Sequence, residues 1–429
     1  MAITGGASSS ARPASQSHSP LDGVRICLVF EYNLSHHTRY LREIAVLQEA
    51  GATVELLTSH QEPGDVPPGM QVTIAPLQMY DAACSIGPST KQGGLARGVD
   101  NAVRSWQRAA SRLLSPGPDN AIREGALMEL GSRVDLFWVS DYLSLPTVLD
   151  AAERTDTKVV YETVDLVPEF LYYGQGRRRM LLKGERKAVG RVDGFITACD
   201  SYADYYMERY GRSVLKRRPV VSDNMPNHMV PHIRPTSRPL RVLFFGQLMS
   251  DRPVMELIEA MAITQGDATL TFQGKNYLGD TPSARIAELG LRDRVFLLDP
   301  CPPEEIVETA SEYDVGIVAL RGADENERRA STSKLFTYMS SGLAVLGSNL
   351  PGIARVVNEH RNGVLVDGMG PEAWAGAIEA LSALPRAEVD AMKQRSLDSA
   401  SRYAWESQKP AFIAEFVRAM GRTGARPRR

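Results

Sequence analysis

The chain has 429 residues, a formal net charge of −2, and 43% hydrophobic and 23% charged residues. This is the composition of a soluble globular protein with two or more domains of ordinary size. A net charge close to zero gives no bulk attraction to nucleic acid, so we expect no nucleic-acid partner. The four cysteines are far apart and form no CxxC pair. Their spacing argues against a disulfide framework or a zinc site and favours a cytoplasmic location.

The two ends of the chain have the composition of disordered segments. Residues 1–20 are rich in Ser, Ala, Gly and Pro and contain no apolar core, so we interpret them as a disordered leader and not as a signal peptide. Residues 421–429 are predicted to form a short basic tail. Between the ends, no apolar run approaches the ~20 residues that a membrane-spanning helix needs.

The first elements predict a βαβ unit. A buried strand over Val24–Phe30 is followed by a loop, an amphipathic helix that ends at Gly51, and a second strand over Thr53–Leu57. This order implies a parallel sheet with a right-handed crossover. The loop after the first strand contains no glycine, so the GxGxxG fingerprint is absent there, and the chain also lacks the GxxxxGK[ST] phosphate loop. We therefore exclude NAD-dependent oxidoreductases and nucleoside triphosphatases.

The rest of the chain continues this alternation in two blocks. Further strands of the first block are predicted at Val72–Ala75, Asp135–Val139, Lys158–Tyr161, Gly194–Ala198 and Val220–Ser222. Residues 224–238 hold several prolines and no periodicity, which is typical of a linker. Strands of the second block are predicted at Leu240–Phe245, Ala268–Gln273, Arg294–Leu298, Val315–Leu320, Leu343–Leu346 and Gly363–Val366.

We therefore predict an α/β protein with two doubly wound, Rossmann-like domains that face a central cleft. The first domain covers residues 21–230 and the second covers residues 239–402. A last helix over residues 403–420 is placed to cross back to the first domain. Ligands of such sheets bind beyond the carboxyl ends of the strands.

One stretch of the second domain, Ala330–Gly352, has the pattern of a phosphate-binding helix start. Ser331 or Thr332 is suited to cap the helix, because a hydroxyl there can accept a hydrogen bond from a first-turn amide. Together with Ser333 and Lys334, the helix start offers free amides, hydroxyls and a positive charge at one point. The alternative interpretation is an ordinary capped helix with a surface lysine.

Four segments carry a family resemblance in the expected order and spacing: His37–Leu47, Val159–Glu169, Arg191–Gly211 and Ala330–Gly352. The last contains K-L-F-T-Y-M-S-S-G followed by N-L-P-G. Together they resemble retaining glycosyltransferases of the two-domain GT-B fold, in the family 4-like or group 1 set. The resemblance implies an acceptor-side first domain, a donor-nucleotide-binding second domain, and transfer of a sugar from a nucleotide-sugar donor to a saccharide, lipid-linked or small-molecule acceptor.

The resemblance, combined with residue chemistry, implies a set of donor-binding residues. We expect Lys334, Ser333 and Arg252 to stabilise the diphosphate, because helix amides and cations can replace a metal where negative charge develops. The sequence contains no D-x-D, so we expect neither a metal nor another cofactor. Gly246 would allow the backbone to approach the donor closely. Leu335 and Thr337 complete the predicted donor-binding set.

Candidate acceptor-side residues follow strands of the first domain. Asp165 is predicted to position or deprotonate the acceptor hydroxyl, with a turn or helix-capping aspartate as the alternative. Glu162 is a second carboxylate of the same kind. His36 and His37 lie in the loop after the first strand, where they would contact a ligand or be solvated.

Three departures from the resembled pattern leave a second function open. Val164 stands where the family usually has a histidine, Thr337 where it has a glutamate for the ribose, and Gln247 near the usual diphosphate cations. The alternative is therefore a degenerate subunit that binds or stabilises a partner enzyme. A sugar-nucleotide epimerase would need more acids and histidines around the donor.

The segment Arg177–Lys187 is the strongest local cluster of positive charge, and aromatic residues precede it. Basic and aromatic residues in an acceptor-side domain suit a peripheral contact with the inner face of a membrane. The alternative is a solvated helix face.

Overall fold

The computed structural model describes residues 19–34, 37–59, 66–75, 118–140, 142–171 and 173–421. The predicted leader up to residue 18, His36 and the tail from residue 422 therefore lie outside the described residues. Within the described ranges, no helix combines the length and the apolar character needed to cross a membrane.

The first sheet is entirely parallel and has the strand order β3-β2-β1-β4-β5-β6-β7. Its strands are β1 (Arg25–Val29), β2 (Thr53–Thr58), β3 (Val72–Ile74), β4 (Leu136–Val139), β5 (Lys158–Thr163), β6 (Gly194–Thr197) and β7 (Val220–Val221). Its helices are α1 (Thr38–Glu49), α2 (Pro118–Gly131), α3 (Leu145–Thr155), α4 (Gln175–Val189) and α5 (Asp200–Tyr210).

The second sheet is also parallel and has the order β10-β9-β8-β11-β12-β13. Its strands are β8 (Leu240–Phe245), β9 (Ala268–Gln273), β10 (Val295–Leu298), β11 (Val315–Val318), β12 (Ala344–Ser348) and β13 (Gly363–Val366). The helices that follow in the chain are α6 (Val254–Ile263), α7 (Thr281–Glu288), α8 (Ile306–Ser311), α9 (Glu325–Arg329), α10 (Ser333–Ser340), α11 (Pro351–His360), α12 (Pro371–Ala383), α13 (Arg386–Tyr403) and α14 (Trp405–Ala419).

Both sheets are buried on their two faces, as apolar parallel strands require. Along β1, Cys27 and Val29 belong to one apolar cluster, whereas Ile26 and Leu28 belong to another on the opposite face. Along β8, Val242 and Phe244 face one cluster, and Leu243 faces the other. Helices therefore cover each sheet from both sides, which confirms the predicted pair of doubly wound α/β sheets.

Helix α14 packs against the first sheet although it follows the second in the chain. Phe412 and Phe416 lie 6.0 and 5.7 Å from the ring of Trp138 on β4. Glu415 accepts a hydrogen bond of 2.7 Å from the Phe195 amide on β6. The C-terminal helix thus adds a second covalent connection between the two sheets, besides the linker after β7.

Candidate active site

Two glycines and one lysine meet at the carboxyl edge of the second sheet. Gly246 follows β8 with φ +123°, and a Cβ there would lie 2.6 Å from Cε of Lys334. Gly274 follows β9 with φ +152°, and its Cβ would lie 2.1 Å from the Gly246 carbonyl oxygen. Only glycine fits these positions, because the φ values disfavour other residues and the space is already filled. The two glycines let the Lys334 side chain lie across the strand ends.

Lys334 is a partly buried cation. Its Nζ lies 4.4 Å from the centroid of the Phe244 ring, within cation–π distance. In the part of the chain that the structure describes, no carboxylate lies within 4.0 Å of it. Burial, followed by the nearby charge of Arg252, lowers the pKa of the Lys334 ammonium to about 8. The site therefore holds a positive charge for which the protein itself provides no ion-pair partner among these residues.

The start of α10 is not capped by a side chain, which corrects the predicted cap. Thr332 occupies the N-cap position, but its hydroxyl makes no capping hydrogen bond. That hydroxyl is buried and has no partner within the described residues. Ser331 instead donates to the Gly352 carbonyl, 3.0 Å away. A helix start with uncapped amides beside a lysine is an arrangement that binds phosphate.

Arg252 lies beside this helix start with acidic neighbours. Its guanidinium is 3.7 Å from the Asp251 carboxylate and 3.8 Å from that of Glu327. Arg321, which the sequence interpretation did not single out, donates to the Asp251 carbonyl at 3.1 Å and pairs with Glu256 at 2.8 Å. Arg252 is thus positioned near Lys334 but shares its charge with two carboxylates.

The other residues predicted to bind the donor differ in their exposure to solvent. Ser333 is exposed at the first position of α10, whereas the Leu335 side chain is fully buried in the core. Thr337 is 8% exposed, and its hydroxyl donates to the Ser333 carbonyl one turn earlier, at 3.0 Å. Gln247 is exposed after Gly246. The Thr337 hydroxyl is therefore already engaged within its own helix.

Asp165 lies at the junction of the two domains. Asn326, on α9 of the second domain, donates from Nδ2 to Asp165 Oδ1 at 3.0 Å. Burial raises the pKa of the Asp165 carboxyl to about 6; the Asn326 hydrogen bond lowers it, and the neighbouring charge of Asp324 raises it. The preceding residue, Val164, packs against the apolar cluster of β1 and α14. No sequence motif indicated Asn326, which the structure places against the candidate catalytic carboxylate.

Glu162 lies inside the first domain. Its Oε1 accepts from Arg39 Nε at 2.9 Å, and its Oε2 accepts from Trp138 Nε1 at 2.9 Å. Glu43 lies 3.3 Å from the same arginine, and burial together with the Glu162 charge raises the pKa of Glu43. Both oxygens of Glu162 are therefore engaged in a buried network, apart from Asp165 and Lys334.

His37 lies in an aromatic group at the start of α1. Its ring is 4.7 Å from Phe30, 5.9 Å from Tyr32 and 6.3 Å from Tyr40. Within the described ranges, no group of three or more His, Cys, Asp or Glu side chains is arranged to hold a metal ion.

The second domain matches a known family. Residues 239–383 match the family model described as Glycosyl transferases group 1. D-inositol 3-phosphate glycosyltransferase from Corynebacterium urealyticum is 33% identical over 120 residues, which are 28% of this chain and 27% of that protein. GDP-mannose:cellobiosyl-diphosphopolyprenol alpha-mannosyltransferase from Xanthomonas campestris is 25% identical over 185 residues, 42% of this chain and 47% of that protein. These matches span between about a quarter and a half of the curated relatives.

Solved structures are similar over nearly the whole chain. A glycosyltransferase from Rickettsia africae ESF-5 superposes with a TM-score of 0.63 at 13% identity and covers 94% of this chain and 99% of that chain. Sucrose-phosphate synthase from Thermosynechococcus elongatus gives 0.63 at 16% identity and covers 94% and 100%. Residues 239–383 thus match the group 1 glycosyl transferases, and the chain has the two-domain GT-B fold of solved glycosyltransferases.

Proposed function

We propose that the protein is a glycosyltransferase that moves a sugar from a nucleotide-sugar donor to a saccharide, lipid-linked or small-molecule acceptor, with retention and without a metal. The observation that carries the proposal is Lys334, a partly buried cation without a carboxylate partner in the described chain, at an uncapped helix start. The sugar leaves a nucleoside diphosphate, so negative charge develops at the diphosphate oxygens as the glycosidic bond breaks. Preorganised donors aimed at that point stabilise the transition state.

Each residue of the edge has a defined part in this reaction. Lys334 and the first amides of α10 bind the diphosphate, and Gly246 lets its oxygens approach the backbone. Arg252 adds positive charge once it turns from Glu327 to the diphosphate. Asp165 holds the acceptor hydroxyl; because burial raises its pKa only to about 6, it is largely ionised at neutral pH. Retention is proposed from the resemblance to retaining enzymes.

Nucleotide binding tests this proposal first. We expect calorimetry with UDP, GDP and TDP to detect binding of at least one nucleotide, and the Lys334→Met variant to lose it. The matching nucleotide sugars should be consumed when an acceptor is supplied, and EDTA should leave the rate unchanged. Loss of activity in EDTA would contradict the metal-free mechanism.

A catalytically inactive, partner-binding subunit is the second candidate. Thr337 favours it, because its hydroxyl is engaged by the Ser333 carbonyl and a neutral residue forms weaker hydrogen bonds to ribose than a carboxylate. Failure of all three nucleotides to bind the wild-type protein would support this candidate over the enzyme.

We also propose that helix α4 contacts an anionic membrane surface. Arg179, Lys183, Arg186 and Lys187 are exposed, and none has an ion-pair partner among the described residues. Met180 on the same helix is 58% exposed, and Leu171 just before it is 68% exposed. Cationic side chains near an anionic bilayer contribute about 1 kcal/mol each, and the exposed apolar side chains can insert at its interface.

Vesicle flotation tests the membrane contact with a charge-matched control. The variant Arg179→Glu with Lys183→Glu should lose binding to vesicles that contain anionic lipid at low salt. The control changes Arg292→Glu and Arg386→Glu, two exposed positions of the second domain, and should bind as the wild type does. Absence of wild-type binding at low salt, or equal loss in both variants, would overturn the contact.

A further inference from the structure

Helix α9 contacts the candidate acceptor-side carboxylate. Asn326 Nδ2 donates to Asp165 Oδ1 at 3.0 Å, while its Oδ1 accepts from the Leu166 amide at 2.8 Å and from the Tyr202 hydroxyl at 2.6 Å. The side chain is therefore fixed by three hydrogen bonds to the first domain. Its amide cannot rotate without losing them, so the donor to Asp165 has a defined direction.

The next residue of α9 contacts the candidate donor site. Glu327 Oε1 lies 3.8 Å from Arg252, and its Oε2 accepts from the Ala323 amide at 3.1 Å. Asp324 caps the helix by accepting from the Glu327 amide at 2.9 Å, and its other oxygen accepts from the Leu171 amide at 2.9 Å. One short helix thus connects the candidate diphosphate cation with Asp165.

We propose that Asn326 is a positioning residue that orients Asp165 for the acceptor. The inference rests on the proposed function. Asn326 occupies Oδ1 of Asp165, and Oδ2 makes no hydrogen bond within the described part of the chain, so Oδ2 is the oxygen that receives the acceptor hydroxyl.

The groups around Asp165 define how a substitution should act. Asp324 is the nearby carboxylate that raises its pKa, and Tyr202 faces the same asparagine. Asn326→Asp keeps the size and the acceptor oxygen of the side chain but replaces the donor with a carboxylate oxygen. Two carboxylates at hydrogen-bond distance cannot both ionise easily, so the pKa of the pair must rise.

The control is Glu208→Gln on α5. It removes the ion pair of 2.7 Å between Glu208 and Arg329, which joins the same helix α9 to the first domain without touching Asp165. Asn326→Asp and Glu208→Gln each lose one contact between α9 and the first domain. Only Asn326→Asp should change the titration of Asp165.

The experiment compares the two variants with the wild type in two measurements. The pH–rate profile is measured with the nucleotide sugar that the wild type consumes. In Asn326→Asp its acid limb should shift to higher pH by about one unit, which corresponds to a roughly tenfold loss of ionised Asp165 at a given pH on that limb. Nucleoside diphosphate affinity should stay within about threefold of wild type in both variants, because neither residue is placed at the diphosphate. An unchanged profile in Asn326→Asp, or an equal shift in Glu208→Gln, would overturn the inference.

The second measurement needs no activity. Between pH 5 and 8, Asn326→Asp should lose thermal stability relative to the wild type as the two carboxylates ionise, whereas Glu208→Gln should follow the wild type. A wild type that binds no nucleotide and consumes no donor would refute the proposed function. The stability measurement would then still decide whether Asn326 contacts and tunes Asp165, and parallel curves for both variants would refute that contact.

Discussion

Replacing Lys334 with methionine should stabilise the unliganded protein and abolish nucleotide binding. The ammonium has an ordinary pKa of 10.5, which burial lowers to about 8. That gap corresponds to about 3 kcal/mol of unfavourable free energy for the charged form in the folded state. Solvent still reaches part of the side chain, so we expect a gain of about 1–2 kcal/mol. Methionine keeps the length and can pack its sulfur on the Phe244 ring.

The pH dependence gives the sign of this effect. The unfolded chain holds the Lys334 proton more tightly than the folded chain, so the free energy of unfolding rises as pH increases from about 8 to 10.5. Below pH 8 both states are protonated, and the full cost of the buried charge is present. The advantage of Lys334→Met should therefore be largest at pH 7 and should shrink towards pH 10.

Thermal unfolding at pH 7 and pH 10, with and without UDP or GDP, measures both effects. At pH 7 without nucleotide the variant should melt several degrees higher, since about 1 kcal/mol shifts the midpoint by roughly 2–4 °C in a domain of this size. The midpoint shift caused by nucleotide in the wild type should disappear. Lys275→Met, at an exposed lysine after β9, is the control. It should neither raise the melting temperature nor remove the shift caused by nucleotide. A destabilised Lys334→Met, or one that keeps the nucleotide shift, would refute the reasoning.

Three other substitutions have defined outcomes. Thr337→Glu should tighten nucleoside diphosphate binding several-fold in calorimetry, because a carboxylate can accept from two ribose hydroxyls; unchanged or weaker binding would contradict this role. Glu162→Gln should cost roughly 1.5–3 kcal/mol in denaturant unfolding, because the buried Arg39 loses a charged hydrogen-bond acceptor and keeps only Glu43, 3.3 Å away. A cost below about 1 kcal/mol, typical of an exposed pair, would contradict this. The stability of Asp165→Asn relative to the wild type should increase as pH rises from about 4 to 6. The folded wild type holds the Asp165 proton more tightly than the unfolded chain does, so the wild type loses stability as pH rises through the folded pKa of about 6. A constant difference across this range would argue against burial of the carboxyl.

The sheets were predictable from the sequence because local apolar runs determine them. Strands such as β1 and β8 are mostly buried apolar runs, which can be recognised without knowledge of distant partners. The stretch Ala330–Gly352 was predictable as helix, turn and strand for the same reason. The partner of the Ser331 hydroxyl was not predictable from the sequence. This hydroxyl donates to the Gly352 carbonyl of α11, which lies beside it only in the folded chain.

Side-chain roles depend on contacts that sequence spacing does not reveal. Glu162 lies in β5 and Asp165 follows it, yet the two have different surroundings. Glu162 contacts Arg39, which is 123 residues away, and Asp165 contacts Asn326, which is 161 residues away. The position of Asn326 depends on how the two domains close, and no local pattern encodes that arrangement. Tertiary structure therefore separated two carboxylates that looked equivalent in the sequence.

Another lysine, Lys393, shows how a buried charge is paired where it stabilises the fold. Lys393 on α13 is 1% exposed and lies 3.0 Å from the buried carboxylate of Asp314. Lys334 has no such partner among the described residues, lies beside a glycine at positive φ, and belongs to the first turn of α10, whose N-cap hydroxyl is unpaired. Departures from local stability rules concentrate where a protein reserves interactions for a ligand. The contrast between the two lysines therefore supports the proposal that an anion binds at the start of α10, and not in the paired interior of the domain.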